Sequence, residues 1–243
     1  MPRIAKWVGD AMESLLASKI PLMQVTETSY LNPSIKKIRF SGNLSGMNFQ
    51  LGYAVAIRVS DTEFRNYTAS FSDVATGTLE LLIHLHGSAP GSQFMTNLKP
   101  GDEVRISMPR GQKQYDPLVK QQLLFGDETS LALACAFQPV LKKGQHEFQF
   151  YFELDEENRQ VPDLLGLENY TVFSKKDTFR SEQRSNEVPL FETSRWKSCW
   201  QASNYVLTGN GQSVQTFRKA LKNNHARGRI FTKGYWLEGK TGL

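Results

Sequence analysis

Two rhythms divide the chain. From about Leu22 to Met108, apolar and polar positions alternate over short stretches broken by turn signals, which is the period of half-buried strands. In "LELLIHLHG" Leu79, Leu81, Ile83 and Leu85 fall on one face, and "SIKKIRFSG" reads as another strand. "DEVRISM", opened by the turn "KPGD", alternates through Val104, Ile106 and Met108. Several short strands at this spacing predict a small antiparallel barrel or sandwich. After "YDP" the rhythm changes to strand followed by helix. "QQLLF" ends at Gly126 and the helix-like run "SLALACAFQPVL" follows; "HEFQFYFEL" sets Phe148, Phe150, Phe152 and Leu154 on one face. "YTVFS" is a further strand, and "SNYVL" turns through "TGNG" into a helix holding Val214, Phe217, Ala220 and Leu221. That alternation predicts a parallel sheet flanked by helices. Ahead of both regions, Ile4, Trp7, Val8, Met12, Leu15 and Leu16 recur at helical spacing. They predict an amphipathic helix over residues 1–20, docked on the body or on a second subunit, with a membrane surface as the less favoured alternative. The expected division is therefore 1–20, 21–117 and 118–243, with the charged stretch 175–187 as a solvated loop.

Composition narrows the classes. The 243 residues, 40% hydrophobic and 22% charged, suit one large globular domain or two modest ones. Cys135 and Cys199 lie far apart, with no Cys-x-x-Cys spacing and no histidine cluster beside them. That excludes a zinc site and a disulfide framework and predicts a reducing, cytoplasmic setting, with Cys135 a buried, inert thiol. No apolar run approaches the ~20 residues that span a bilayer, so membrane insertion is not expected. The first residues, interrupted by Asp10 and Glu13, hold no apolar core of a signal peptide. A net charge of +5 favours an anionic partner. No lysine–arginine run or base-reading helix accompanies it, so nucleic acid is not the expected partner.

Candidate chemistry begins at "FRNYTASF", residues 64–71. No acidic residue lies inside this apolar stretch, although Glu63 stands just before it. In a strand Arg65 and Tyr67 share a face while Asn66 and Thr68 point the other way. A guanidinium suits a phosphate through paired hydrogen bonds, and a tyrosine ring suits an offset stack on a flat heteroaromatic. In "HLHGSAPGSQFMTNLKPGD" Gly87 and Gly91 permit a tight loop, and Ser92 is expected to cap a short helix through Gln93, Phe94 and Leu98. Free amides at such a start suit a pyrophosphate. His84 and His86 share a strand face, without an evident third metal ligand. "GDETS", residues 126–130, and "TGNG", residues 208–211, both sit where an apolar strand gives way to a helix. That is the position of ligands in open α/β sheets. Neither is the Gly-x-Gly-x-x-Gly fingerprint, so this half shows no sign of tight dinucleotide binding.

The order "RNYT", "LHGSAPGS", "KPGDEVRISMPRG", "FGDETSLAL", "YVLTGNG…VQTFRKAL" and "GYWLEG" resembles the siderophore-interacting protein family, flavin-binding ferric-siderophore reductases related to ferredoxin reductases. The resemblance covers roughly residues 22–239. It implies an N-terminal antiparallel FAD-binding β-barrel followed by a Rossmann-like, NAD(P)H-binding-like parallel-sheet domain. It implies FAD held by Arg65 at the pyrophosphate and by Tyr67 and Thr68 at the flavin. The His-Gly loop of the family corresponds to His86, Gly87, Ala89, Pro90, Gly91 and Ser92, with His84 beside it. Asp127, Glu128 and Thr129 correspond to the nicotinamide side.

Two departures stand out. Gly209-Asn210 replaces the family's Gly-Glu, and Tyr235-Trp236-Leu237 replaces its Tyr-Trp-Arg. Arg110, Arg229, Lys233 and Lys240 are the candidate substitutes for that missing charge toward an anionic ferric siderophore. The implied activity passes electrons from NAD(P)H, or from ferredoxin, through flavin to Fe(III), with no catalytic side chain and no resident metal. The alternatives are an FAD-dependent NAD(P)H oxidoreductase with another acceptor and a redox-inactive siderophore-binding module.

Overall fold

The computed structural model describes residues 5–7, 10–11, 20–175, 179 and 188–239. They belong to two compact units, one running through Lys113 and the other from Gln114 onward. Most of the apolar positions of the expected N-terminal helix, Lys240, and nearly all of the stretch 175–187 lie outside the described residues. Of the N-terminal segment, Lys6, Trp7, Asp10 and Ala11 are helical. Lys6 pairs with Asp61 at 3.0 Å and Asp10 with Arg58 at 2.9 Å. No helix among the described residues is long and apolar enough to cross a membrane.

The first unit is a six-stranded antiparallel sheet. Its strands are β1 (Leu22–Asn32), β2 (Ile35–Ser41), β3 (Ala54–Arg58), β4 (Phe64–Asp73), β5 (Thr78–His84) and β6 (Glu103–Arg105), in the order β3-β4-β5-β2-β1-β6. Bridges from Ile57 to Ile106 and from Ala54 to Arg110 draw its two edges together into a nearly closed barrel. Strand β6 is shorter than the alternation of "DEVRISM" predicts, because past Arg105 the pairing passes to β3 through those single bridges. Alternation fixes which side chains line the interior. Ile38 and Phe40 of β2, Val55 and Ile57 of β3, and Leu79 and Leu81 of β5 are wholly buried. A bulge between Ala69 and Phe71 in β4 breaks the period and turns Phe71 outward. Between β1 and β2 the Asn32 side chain accepts from the amides of Ser34 and Ile35 at 3.1 and 2.8 Å, an Asx turn that seats Pro33.

Helix α1 (Pro90–Asn97) closes one end of the barrel core with Met95 and, just past it, Leu98. It begins earlier than expected. Pro90 at the first helical position has a preset φ and no N–H to satisfy, so the helix starts behind Ala89. Ser92 is therefore inside the first turn rather than its cap. Its hydroxyl instead accepts from the His86 amide at 3.1 Å and donates to the His86 carbonyl at 3.0 Å, lacing the loop to the helix.

The second unit is an all-parallel five-stranded sheet. Strands β7 (Gln121–Gly126), β8 (Glu147–Leu154), β9 (Tyr170–Ser174), β10 (Asn204–Asn210) and β11 (Ile230–Trp236) lie in the order β11-β10-β7-β8-β9. Helices α2 (Leu131–Lys143), α3 (Val161–Leu164), α4 (Ser194–Ser198) and α5 (Gly211–Asn223) accompany it. Its central strands are apolar on both sides, as parallel strands covered on both faces must be. Strand β10 is buried at every position, and β8 from Phe150 onward. One face is largely aromatic. Phe125 stacks on Phe217 of α5 with centroids 4.2 Å apart, and Tyr151, Phe191, Trp196 and Tyr205 extend that cluster. Cys135, expected to be buried, is half-buried on α2, and neither cysteine is in a disulfide.

Candidate functional site

The β4 stretch places its charge and its ring together. Arg65 and Tyr67 stand opposite Ile57 and Val55, so both lean toward the barrel's core face, while Asn66 is exposed. Tyr67 packs against that core. Arg65 answers part of its charge locally, with Glu63 at 3.5 Å and the Phe64 carbonyl at 2.9 Å. A guanidinium has five N–H donors, so this leaves donors for an anion. Burial pushes the Tyr67 phenol well above its ordinary pKa, and the Arg65 charge opposes this only in part. The ring therefore carries a neutral hydroxyl.

The loop whose amides were expected to suit a pyrophosphate comes close to Arg65. A Cβ on Gly91 would lie 3.1 Å from the Tyr67 hydroxyl and 3.2 Å from Cγ of Arg65. A side chain at this position would require the Tyr67 hydroxyl and the Arg65 stem to give by a few tenths of an ångström, so glycine eases the close approach of the start of α1. The first turn of α1 has no side-chain cap and no acidic residue. Its amides and the remaining Arg65 donors form a donor set of the kind a diphosphate takes. Thr68 is half-buried on the opposite side of β4, paired with Ala54. His84 is half-buried and His86 exposed, their rings 5.4 Å apart. Ala89 supplies the carbonyl that accepts from the Gln93 amide.

Beneath this arrangement lies a residue that the sequence reading passed over. Lys36 is 2% exposed, and its ammonium donates to the carbonyls of Met95, Thr96 and Leu98 at 2.9, 2.9 and 2.7 Å. These carbonyls end α1, where helix geometry leaves acceptors unpaired and the helix dipole favours a cation. Burial lowers the Lys36 pKa, and Asp102 works against that shift. The signal was present: Lys36 shares its strand face with Ile38 and Phe40.

The second unit treats its crevice differently. Strand β10 returns beside β7, which makes the gap between their carboxyl ends the switch point of this sheet. Asp127 fills it. The carboxylate, on a residue only 2% exposed, accepts from the Thr129 amide at 2.9 Å, the Asn210 amide at 2.8 Å and Trp236 Nε1 at 2.7 Å. Burial raises its pKa; the Thr129 bond lowers it, the neighbouring Glu128 raises it, and Lys175 and Trp236 oppose. Gly209, at φ +102°, leaves room for this carboxylate, which a Cβ there would meet at 2.7 Å. Glu128 is also internal. It accepts from the Asp155 amide at 2.7 Å and Asn158 Nδ2 at 3.0 Å, and pairs with Lys175 at 2.5 Å. Burial depresses the Lys175 pKa, but Glu128, Asp127 and Asp155 outweigh it and the net shift is upward. Asn210 caps α5 with its side chain, accepting from the amides of Gln212 and Ser213 at 2.9 and 3.2 Å. Leu237, where the resembled family has arginine, packs on Gly211 at the start of the same helix.

Among the described residues, the basic candidates do not converge within either unit. Arg110 is exposed on the barrel, its backbone paired with Ala54. Lys233 is exposed on β11 opposite Thr208, whereas Arg229 precedes β11 at the amino-terminal edge of the sheet. At ~3.3 Å per residue, Arg229 stands roughly 20 Å from the Trp236 end.

Residues 22–115 match the oxidoreductase FAD-binding domain family. The barrel is an FAD-binding domain. No curated protein matches the chain by sequence. Among solved structures, the siderophore-interacting protein of Aeromonas hydrophila superposes with a TM-score of 0.71 at 20% identity, covering 91% of this chain and 93% of that one. A siderophore utilization protein from T. fusca gives 0.72 at 19%, covering 93% and 95%. A ferredoxin NADP+ reductase from Neisseria gonorrhoeae, with FAD and NADP bound, gives 0.69 at 14%, covering 90% and 99%. The FAD-binding barrel followed by a parallel-sheet unit is thus the ferredoxin-reductase plan, that of an FAD oxidoreductase.

Proposed function

We propose that the chain reduces ferric siderophores, using FAD to carry electrons from NAD(P)H to Fe(III) and so release Fe(II). The observation that carries this reading is Arg65 and Tyr67 set against the uncapped start of α1. Likeness over nine-tenths of the length to two siderophore-handling proteins supports the acceptor. Likeness to a reductase with FAD and NADP bound supports the donor. Bound FAD supplies the exchange between a two-electron donor and a one-electron acceptor.

Arg65 and the first amides of α1 hold the diphosphate. Tyr67 offers its ring to the isoalloxazine and a neutral hydroxyl to a polar edge. Asp127, Glu128 and Thr129 act by shaping the carboxyl end of the parallel sheet rather than by offering charge to a ligand. No side chain is required as nucleophile or general base. Iron held by hard oxygen ligands binds less tightly once ferrous, so reduction itself frees it. Lys233, Arg110 and Lys240 are the candidates for the anionic chelate, within a cytoplasmic protein whose two cysteines form no disulfide.

The test is an anaerobic titration of the flavin-loaded protein. NADH or NADPH should bleach the flavin absorbance, and a ferric siderophore should restore it with Fe(II) trapped by a ferrous chelator. Arg65→Ala should weaken FAD binding by about tenfold or more, the scale of a lost charge-assisted pair, while the folding midpoint moves little. A protein that binds no flavin, or a reduced flavin indifferent to every ferric chelate, sinks the proposal.

A further inference from the structure

An acid stands beside the arginine assigned to the diphosphate. Glu63 leads into β4; its side chain is 8% exposed, and its carboxylate lies 3.5 Å from Nη2 of Arg65. The turn that carries it is fixed by its own bonds. The Glu63 carbonyl accepts from the amides of Val59 and Ser60 at 2.9 and 3.4 Å, and Arg58 donates to the carbonyls of Ser60 and Asp61 at 3.2 and 2.7 Å. The contact with Arg65 is looser. Charge-assisted N–H···O bonds close to about 2.7–2.9 Å, whereas this ion pair stands open at 3.5 Å. Nη1 of the same guanidinium does close, on the Phe64 carbonyl at 2.9 Å. Nη2 belongs to both two-donor edges of the fork, the side edge shared with Nε and the end edge shared with Nη1. A phosphate gripped through either edge must therefore take the nitrogen that Glu63 faces.

We propose that Glu63 is a built-in counter-ion of Arg65, displaced from it by the diphosphate of FAD, and that this exchange sets the flavin affinity, a reading that rests on the flavin assignment above. Without flavin, the pair compensates a half-buried guanidinium, whose charge would otherwise be costly. When the diphosphate arrives, Glu63 gives up Nη2. Its carboxylate then stays near a second anion, on a fixed turn and out of reach of most solvent, where charge is poorly screened. That juxtaposition of like charges opposes binding. FAD is therefore held less tightly than Arg65 and the start of α1 would hold it alone.

The experiment titrates flavin-stripped full-length protein with FAD at low and at high salt, and melts each protein with and without FAD. Glu63→Gln keeps the side-chain length and an oxygen for Arg65 and removes the charge. It should bind FAD on the order of tenfold more tightly at low salt, with the gain shrinking as salt rises. Its flavin-free midpoint should fall slightly while the rise on adding FAD grows, because tighter binding to the folded state adds stability. A merely structural role would lower both midpoints and weaken FAD. Glu63→Asp, which keeps the charge, should show no gain. Glu63→Met, free of charge and similar in size, stands in for the glutamine variant if that protein does not fold. Unchanged or weaker FAD binding by the charge-free variant, or an equal gain from Glu63→Asp, overturns the counter-ion role and leaves the flavin reading intact. Absence of FAD binding by the unmodified protein and the variants alike overturns the flavin reading, and the counter-ion role with it.

Discussion

The starts of α1 and α5 are both natural anion sites, and the chain treats them in opposite ways. At α1 the first turn carries no side-chain cap, a proline stands at its opening, and an arginine waits beside it. At α5 the Asn210 side chain takes two of the first amides, and the buried Asp127 carboxylate takes the Asn210 amide itself. One end is left with donors to give; the other has had them consumed by the chain's own acceptors. Both follow a strand carboxyl end and both use a glycine to permit close approach, so topology alone does not separate them. Polarity does: a guanidinium borders the first and a carboxylate fills the second. A helix start becomes a binding site only where the protein declines to satisfy it.

The contrast can be broken from its closed side. Asp127→Ala strands the amides of Thr129 and Asn210 and the indole N–H of Trp236, all drawn to one carboxylate. Unpaired buried donors cost about 1–3 kcal/mol each, and partial relaxation should leave a net loss of about 3 kcal/mol in the unfolding of the second unit. Denaturant melts followed by tryptophan fluorescence measure this. An unchanged midpoint would mean that the ends of β10 and β11 are held by other contacts. A smaller effect is expected on the open side. Lys36→Met removes the cation from three carbonyls, and bonds to charged groups contribute about 1.5–3 kcal/mol. A loss of about 2 kcal/mol should appear in the barrel's transition, with faster hydrogen exchange along α1. If exchange in α1 stays slow, the lysine does not anchor the helix.

Much of this was legible in the residues. Alternation in "LELLIHLHG" placed Leu79, Leu81 and Ile83 inside the barrel, and Arg65 and the loop at Gly91 each read as suited to a phosphate, although their mutual approach was not legible. What escaped was decided by contacts between distant segments. Lys36 reads as a surface lysine until Met95, Thr96 and Leu98 bring their carbonyls to it, about sixty residues later in the chain. Ser92 was misread as a cap because its true partner is the backbone of His86 across a loop. Asp127 looked like a ligand-facing acid, since nothing in "GDETS" announces that Asn210 and Trp236 converge on it. Cys135 was expected to be buried from its apolar neighbours, but a helix covered on one face leaves part of its circumference open, and it is half-buried.

The finest test concerns Tyr67, which stands between the core and the open helix start. Its phenol is pushed above the ordinary value of 10.0, chiefly by burial. A folded-state pKa above the unfolded one gives stability that is fully present below about pH 10. Above that, the unfolded chain loses its proton first, and stability falls by up to about 1.4 kcal/mol per pH unit until the folded phenol also ionises. Tyr67→Phe has no such proton to lose. The variant should therefore match the unmodified barrel to within about 1 kcal/mol at pH 7, the net worth of one neutral hydrogen bond, and overtake its relative stability above pH 10. Tyr151 and Tyr205 are shifted in the same direction, but they belong to the second unit, so the barrel's own transition isolates Tyr67. Identical alkaline slopes in the two proteins would show that the hydroxyl is hydrated rather than buried against Gly91. The open end would then be wetter than the closeness of Gly91, Arg65 and Tyr67 implies.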